Sequence, residues 1–372
     1  VSPDSHPSLH FAAADNALMT RPLPPLRWDL FCRVIDNHGD LGVCWRLARD
    51  LASRGHAVRL WVDDASALAW MAPQGAAGVQ VLPWREPRAD EHPGDVVIEA
   101  FGCNPPEGFV RAMRAHGRCV WINMEYLSAE AYVERSHGLV SPQFSGPGAG
   151  LKKWFYYPGF SASTGGLLRE PSLLTEQIAF NAAAVWAELG LPPSSALQVS
   201  VFAYAHSPVH ELLALLSWQP CRLLACPGPN QQALIDAAAA FPNVTVVPLP
   251  WLTQPTYDRL LSACDLNFVR GEDSFVRAQW AGQPFVWQIY QQDDGAHATK
   301  LTAFLQRYLA DTPAELAAAI HQLWAAWNAL GPWPEGLPPR QAWIDQAQHW
   351  RGLQADHQDL VSQLQGFVAD RR

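Results

Sequence analysis

The stretch LNFVRGEDSFVRAQWAGQPFVWQIY, Leu266–Tyr290, changes its hydrophobic period twice, and this constrains the fold more than any other feature of the chain. Leu266–Val269 is a short apolar run after a helix-like segment, Tyr257–Ala263, and the turn residue Asp265, so it reads as a buried strand. The polar turn Arg270–Asp273 leads into a helical run from Ser274 to about Ala281. Gly282-Gln283-Pro284 stops that helix, and Phe285–Tyr290 is a second apolar strand. Strand–turn–helix–strand is half of a parallel α/β sheet, in which ligands sit beyond the carboxyl ends of the strands. Arg270, Glu272, Asp273 and Ser274 then stand at the binding edge, beside the N–H groups and partial positive charge of a helix start. The pattern suits a diphosphate. It also suits an ordinary N-cap at Asp273 or Ser274 and a surface pair between Arg270 and Glu272.

The rest of the chain repeats this alternation. Strands are expected at Trp28–Ile35, Ala57–Val62, Val79–Leu82, Asp95–Glu99 and Arg118–Asn123, with helices at Leu41–Arg54, Ala65–Met71 and Pro106–His116. Ser141–Gly166 is rich in Gly, Pro, Ser and aromatics and has no period, so it reads as a loop region closing a first domain. A long helix, Leu173–Leu189, opens a second unit with strands at Gln198–Tyr204, Arg222–Cys226 and Val244–Val247. Ala296–Phe367 is helical in period, broken at Gly331–Pro339. A chain of 372 residues is long for one core. The expected division is a tail at 1–26, an N-terminal domain at 27–166, a C-terminal domain at 167–345 and a closing helix at 346–372 placed to pack back on the first.

The net charge of −9 argues against a general binder of nucleic acid or anionic membrane, so an anionic ligand must be held by a few local donors. Seven cysteines without a CxxC pair read as reduced thiols in a cytosolic protein. No apolar run is long enough to span a membrane, and the N-terminal segment reads as a loose tail rather than a signal peptide. The 13 histidines show no metal-binding spacing.

Asp36-Asn37-His38-Gly39-Asp40-Leu41-Gly42 joins the first strand to the first helix. Gly39 and Gly42 permit a tight turn and a close approach to a ligand, but the acids between them would repel a pyrophosphate. The loop suits holding a cation or accepting a proton, or Asp40 simply caps the helix. Pro248–Gln254 follows a strand and so lies at the other binding edge. Trp251 there suits stacking on a base, worth about 1–3 kcal/mol, or packing in a core. Backbone groups at Leu252, or the Gln254 side chain, suit a base's polar edge. Phe202 and Tyr204 at one strand end, and Gln288 and Tyr290 at another, are candidates for the same cleft.

WDLFCRVIDNHGDLGVCWRLAR (Trp28–Arg49) and RGEDSFVRAQWAG (Arg270–Gly282) closely resemble the EarP family, bacterial protein-arginine rhamnosyltransferases that modify elongation factor P. The resemblance runs from about Trp28 to the C-terminal helices. It implies a GT-B fold: two Rossmann-like doubly wound domains facing a central cleft, with C-terminal helices. It also implies inverting transfer of L-rhamnose from TDP-β-L-rhamnose to an arginine of elongation factor P, with no cofactor or metal. By this resemblance Asp40 is the general base and Asp36 a supporting acid, while Arg270 binds the diphosphate and Ser274 completes the cradle. Glu272, the third catalytic candidate, is expected to accept hydrogen bonds from ribose or sugar hydroxyls, because a carboxylate beside phosphate is repulsive. Asp273 is expected to cap the helix or share that task. His38 departs from the aromatic usual at its position and takes no catalytic role. Two such domains equally describe epimerases and binding proteins. A small-acceptor transferase, a sugar-nucleotide epimerase and a non-enzymatic binding protein therefore stay open.

Overall fold

The computed structural model describes residues 24–35, 38–88, 90–291 and 295–372. The N-terminal half runs β1 (Arg27–Cys32), α1 (Gly39–Ser53), β2 (Ala57–Val62), α2 (Leu68–Met71), β3 (Val79–Pro83), β4 (Val96–Ala100), α3 (Glu107–His116), β5 (Val120–Met124), α4 (Ala131–Ser136), β6 (Val140–Pro142) and β7 (Lys152–Tyr156). The second half runs α5 (Leu173–Ile178), α6 (Ala182–Glu188), β8 (Leu197–Val201), α7 (Val209–Leu216), β9 (Cys221–Ala225), α8 (Gln231–Ala238), β10 (Val244–Pro248), α9 (Gln254–Ala263), β11 (Leu266–Arg270), α10 (Asp273–Ala281) and β12 (Phe285–Gln288). Four helices follow: α11 (Ala296–Tyr308), α12 (Ala314–Trp327), α13 (Arg340–Ala355) and α14 (Leu360–Ala369).

Among the described residues the strands form two sheets, in the orders β3-β2-β1-β4-β5-β7-β6 and β10-β9-β8-β11-β12. All neighbours are parallel except β6 and β7. Central strands such as β4, β8 and β11 are buried along their whole length, as a sheet covered on both faces requires. Among the parallel strands of each sheet the order reverses once, between β1 and β4 and between β8 and β11, and those switch points are where open α/β sheets bind ligands.

Three features depart from the sequence reading. Ser141–Gly166 is not all loop, because β7 pairs with β5 and with the short antiparallel β6. Leu173–Leu189 is two helices, broken where Asn181 turns extended and accepts a hydrogen bond from Ala183 N at 2.9 Å, starting α6 afresh. At the N-terminus, residues 1–23 of the expected tail lie outside the described residues. Leu26, counted with that tail, is 4% exposed and belongs to the core.

Towards the C-terminus α13 packs Trp343 and Trp350 on the second core, and the chain then crosses back at residues 356–359. Asp359 caps α14 and binds Arg54 of α1. Leu360, Val361, Leu364, Phe367 and Val368 of α14 complete the core beneath β1, α1 and β4.

Candidate active site

The carboxyl ends of β8, β9, β10 and β11 meet the start of α1 and the short α2 around a cleft of about 680 Å³. Its walls come from both halves: His38, Gly39 and Trp70 from the first, and Phe202, Tyr204, Trp251, Gln254 and Arg270 from the second. Arg270 ends β11 with its guanidinium held between two rings, 4.2 Å from the Phe202 centroid and 4.9 Å from that of Tyr204. Its Nη1 donates to Ala203 O at 3.0 Å. Gly271 turns the chain in the left-handed region, at φ +65°, and delivers it into α10. The Ser274 hydroxyl donates back to the Arg270 carbonyl and closes this loop, and Gly271, Asp273 and Ser274 line the cleft beside Arg270.

Gln254 opens α9, which Thr253 caps by accepting from Thr256 N at 3.3 Å, with Pro255 in the first turn. The amide Nε2 of Gln254 donates to Gly42 O at 3.0 Å and Asp273 Oδ2 at 3.2 Å. Both are pure acceptors, which fixes the amide orientation and leaves Oε1 buried without a partner in the cleft wall. Such an acceptor matches a ring N–H of a base. Trp251 is no core residue: it is 42% exposed and stacks on Trp70 from the opposite domain at 4.4 Å, with His38 edge-on to both.

Asp40 lies in the first turn of α1, is 2% exposed, and accepts from Ile35 N at 2.9 Å. It is not the helix cap, which is His38. Asp36 lies outside the described residues. Glu272 comes up from the other domain and accepts from Leu127 N at 2.9 Å. Burial pushes its carboxyl up to about 7; Lys300 nearby opposes the shift and Asp40 adds to it. Burial in turn lowers the Lys300 ammonium. A carboxyl with a raised folded pKa binds its proton more tightly folded than unfolded, so stability should fall as pH rises from about 4.5 to about 7. Melting curves from pH 5 to 8 should therefore show Glu272→Gln gaining on wild type as pH rises. Parallel curves would mean that Glu272 is not held protonated.

Three of the expected ligand contacts, Gly42, Gln288 and Tyr290, are placed otherwise, while Asp273 lines the cleft but is not a helix cap. Gly42 is helical, and its close approach is to Asp273: a Cβ there would lie 2.9 Å from Asp273 Oδ2. Asp273 does not cap α10, since Arg46 Nε donates to its Oδ1 at 2.6 Å. Gln288 spends its Oε1 on Tyr204 N and Ser207 Oγ, both at 2.8 Å, and so shapes the wall without lining it. Tyr290 is 46% exposed and touches the edge of Tyr204 from outside the cleft. The sequence reading missed Trp70, Met71, Cys226, Pro227 and Tyr257, all in the cleft wall. Trp70 follows β2 at the binding edge, so its place after a strand end was the available signal.

The pattern of the family described as Elongation-Factor P (EF-P) rhamnosyltransferase EarP matches residues 28–369. A protein-arginine rhamnosyltransferase of Pseudomonas aeruginosa is 43% identical over 92% of this chain and 99% of its own length. The chain belongs to the EarP family. A solved structure described as the structural basis for EarP-mediated arginine glycosylation of translation elongation factor EF-P shares 32% identity and a TM-score of 0.64, covering 93% of this chain and 100% of that one. Acinetobacter baumannii MurG, at 14% identity and TM-score 0.51 over 93% of this chain and 100% of its own, shares the GT-B fold alone. The EarP motifs thus fall at the two switch points, one on each side of the cleft. Among the described residues no group of three or more His, Cys, Asp or Glu is placed to hold a metal. No described helix is long and apolar enough to cross a membrane.

Proposed function

We propose that this chain transfers L-rhamnose from TDP-β-L-rhamnose to an arginine side chain of elongation factor P, in the cytosol. The observation that carries the reading is the cleft that sets Arg270, the α10 start, Gln254 and Trp251 on one side and His38 and Gly39 on the other, with Asp40 buried directly behind them in the first turn of α1. TDP lies with thymine against Trp251, its ring N–H on Gln254 Oε1, and its diphosphate against Arg270 and the start of α10. The acceptor guanidinium is protonated at neutral pH and a poor nucleophile. Asp40 orients it and takes a proton as its nitrogen attacks the anomeric carbon. The bond from that carbon to the diphosphate oxygen breaks, the configuration inverts, and TDP leaves with its charge stabilised by Arg270. No covalent sugar–enzyme intermediate and no metal enters this scheme.

Incubation with TDP-rhamnose and purified elongation factor P, read by intact mass, tests it. One added rhamnose on an arginine is expected. Unmodified acceptor together with an isomerised donor, or with a donor bound and released unchanged, would reject it. The Trp251→Ala protein should bind TDP and TDP-rhamnose more weakly by the same amount, about 1–3 kcal/mol. Normal TDP affinity by calorimetry would remove the tryptophan from the base site.

A further inference from the structure

Behind the cleft lies a cluster of six charges, built on the buried Arg46 and Arg277, that the scheme above leaves unused. Arg46 of α1, 1% exposed, donates Nε to Asp273 Oδ1 at 2.6 Å and its two terminal nitrogens to the Asp258 carboxylate, each at 2.9 Å. Arg277 of α10 grips the same carboxylate at 3.1 and 2.9 Å and reaches Glu170 Oε2 at 2.7 Å. Arg49 of α1 holds Glu170 Oε1 at 2.7 Å. Three guanidinium groups thus meet three carboxylates, the six drawn from α1, α9, α10 and the connection between β7 and α5. Burial works against the Arg46 charge and is outweighed by Asp258, Asp273 and Glu170, which hold it protonated.

The two helices joined here are those that carry the chemistry. Asp40 stands six residues before Arg46 on α1, about 9 Å along the axis. Asp273 follows Glu272 directly and stands three residues after Arg270. Asp273 also shares its second oxygen with Gln254, whose Nε2 holds Gly42 O across the domain boundary. The lack of a side chain at Gly42 lets α1 come this close. Buried ion clusters contribute little net stability compared with apolar packing, but their fork geometry fixes position tightly.

We infer that Arg46 is a positioning residue for the transfer: through Asp273 it sets the distance between Asp40 and the donor. This rests on the function proposed above. A displacement of about 1 Å between reacting groups costs on the order of 100-fold.

Arg46→Lys keeps the charge and loses the fork. It should fold, bind TDP within about threefold of wild type, and transfer rhamnose with kcat lowered about 10- to 100-fold. Gly42→Ala, which pushes on Asp273 with the cluster intact, should lower kcat in the same direction by less, and it decides the matter alone if Arg46→Lys does not fold. Hydrogen exchange in residues 39–47 and 271–277 should quicken in Arg46→Lys, with and without TDP. A folded variant with kcat within twofold of wild type, or a loss confined to donor affinity, overturns the inference. Wild-type protein that transfers nothing would reject the proposed function instead. The exchange comparison, which needs no acceptor, would then settle Arg46: unchanged exchange overturns its role in fixing the two helices.

Discussion

The Asp40→Asn protein is expected to bind TDP-rhamnose within a few-fold of wild type and to transfer it to arginine about 10²–10⁴-fold more slowly, the usual contribution of a positioned base. The substitution keeps size and shape, and the amide oxygen can still accept from Ile35 N, the bond that holds Asp40 at 2.9 Å. Only the negative charge and the capacity to take a proton are lost. The donor contacts proposed above, Arg270 and Gln254, lie on the other domain, so donor affinity should survive. Asp36→Asn should hurt less if Asp36 only supports Asp40. Transfer at near the wild-type rate would move the base elsewhere. A collapse of donor binding along with turnover would assign the loop before α1 to the sugar site and undo this division of labour.

Arg270→Ala should weaken TDP binding by about 10- to 100-fold, matching the roughly 1.5–3 kcal/mol of one charge-assisted hydrogen bond to phosphate. The site adds a second consequence. Removing a guanidinium from between Phe202 and Tyr204 leaves a gap between two rings and frees Ala203 O, so the melting temperature should drop as well. Calorimetry on the folded variant separates these effects. Unchanged TDP affinity in a destabilised protein would leave Arg270 as packing alone.

The sequence showed most clearly where local period and function coincide. The helix read from Ser274 to about Ala281 is observed over Asp273–Ala281, because Gly282 stops it in the left-handed region and every residue from Ser274 onward is buried. Arg270, Trp251 and Gln254 could be placed in the cleft wall from the sequence because they lie at or just after strand ends of a parallel sheet. What was hidden is non-local. Asp273 looks like a cap from its neighbours, and its partner Arg46 is 227 residues away. The strand β6 is three residues long, and β7 shows no alternation in its exposed and buried residues, so neither carries a readable period. Gln288 looked like a cleft residue because it ends β12, yet its side chain turns to the backbone of Tyr204.

The return of α14 to the first domain bears on how the molecule is made. The core beneath β1 and α1 takes five of its apolar side chains, Leu360, Val361, Leu364, Phe367 and Val368, from the far end of the chain. A ribosome delivers those residues only after the whole second sheet has emerged. Domains generally fold as units during synthesis, N-terminal first. Here the first core lacks five of its side chains until after Trp350 of α13, the last buried member of the second core, has been made. The residues that complete the second core are therefore synthesised before those that complete the first.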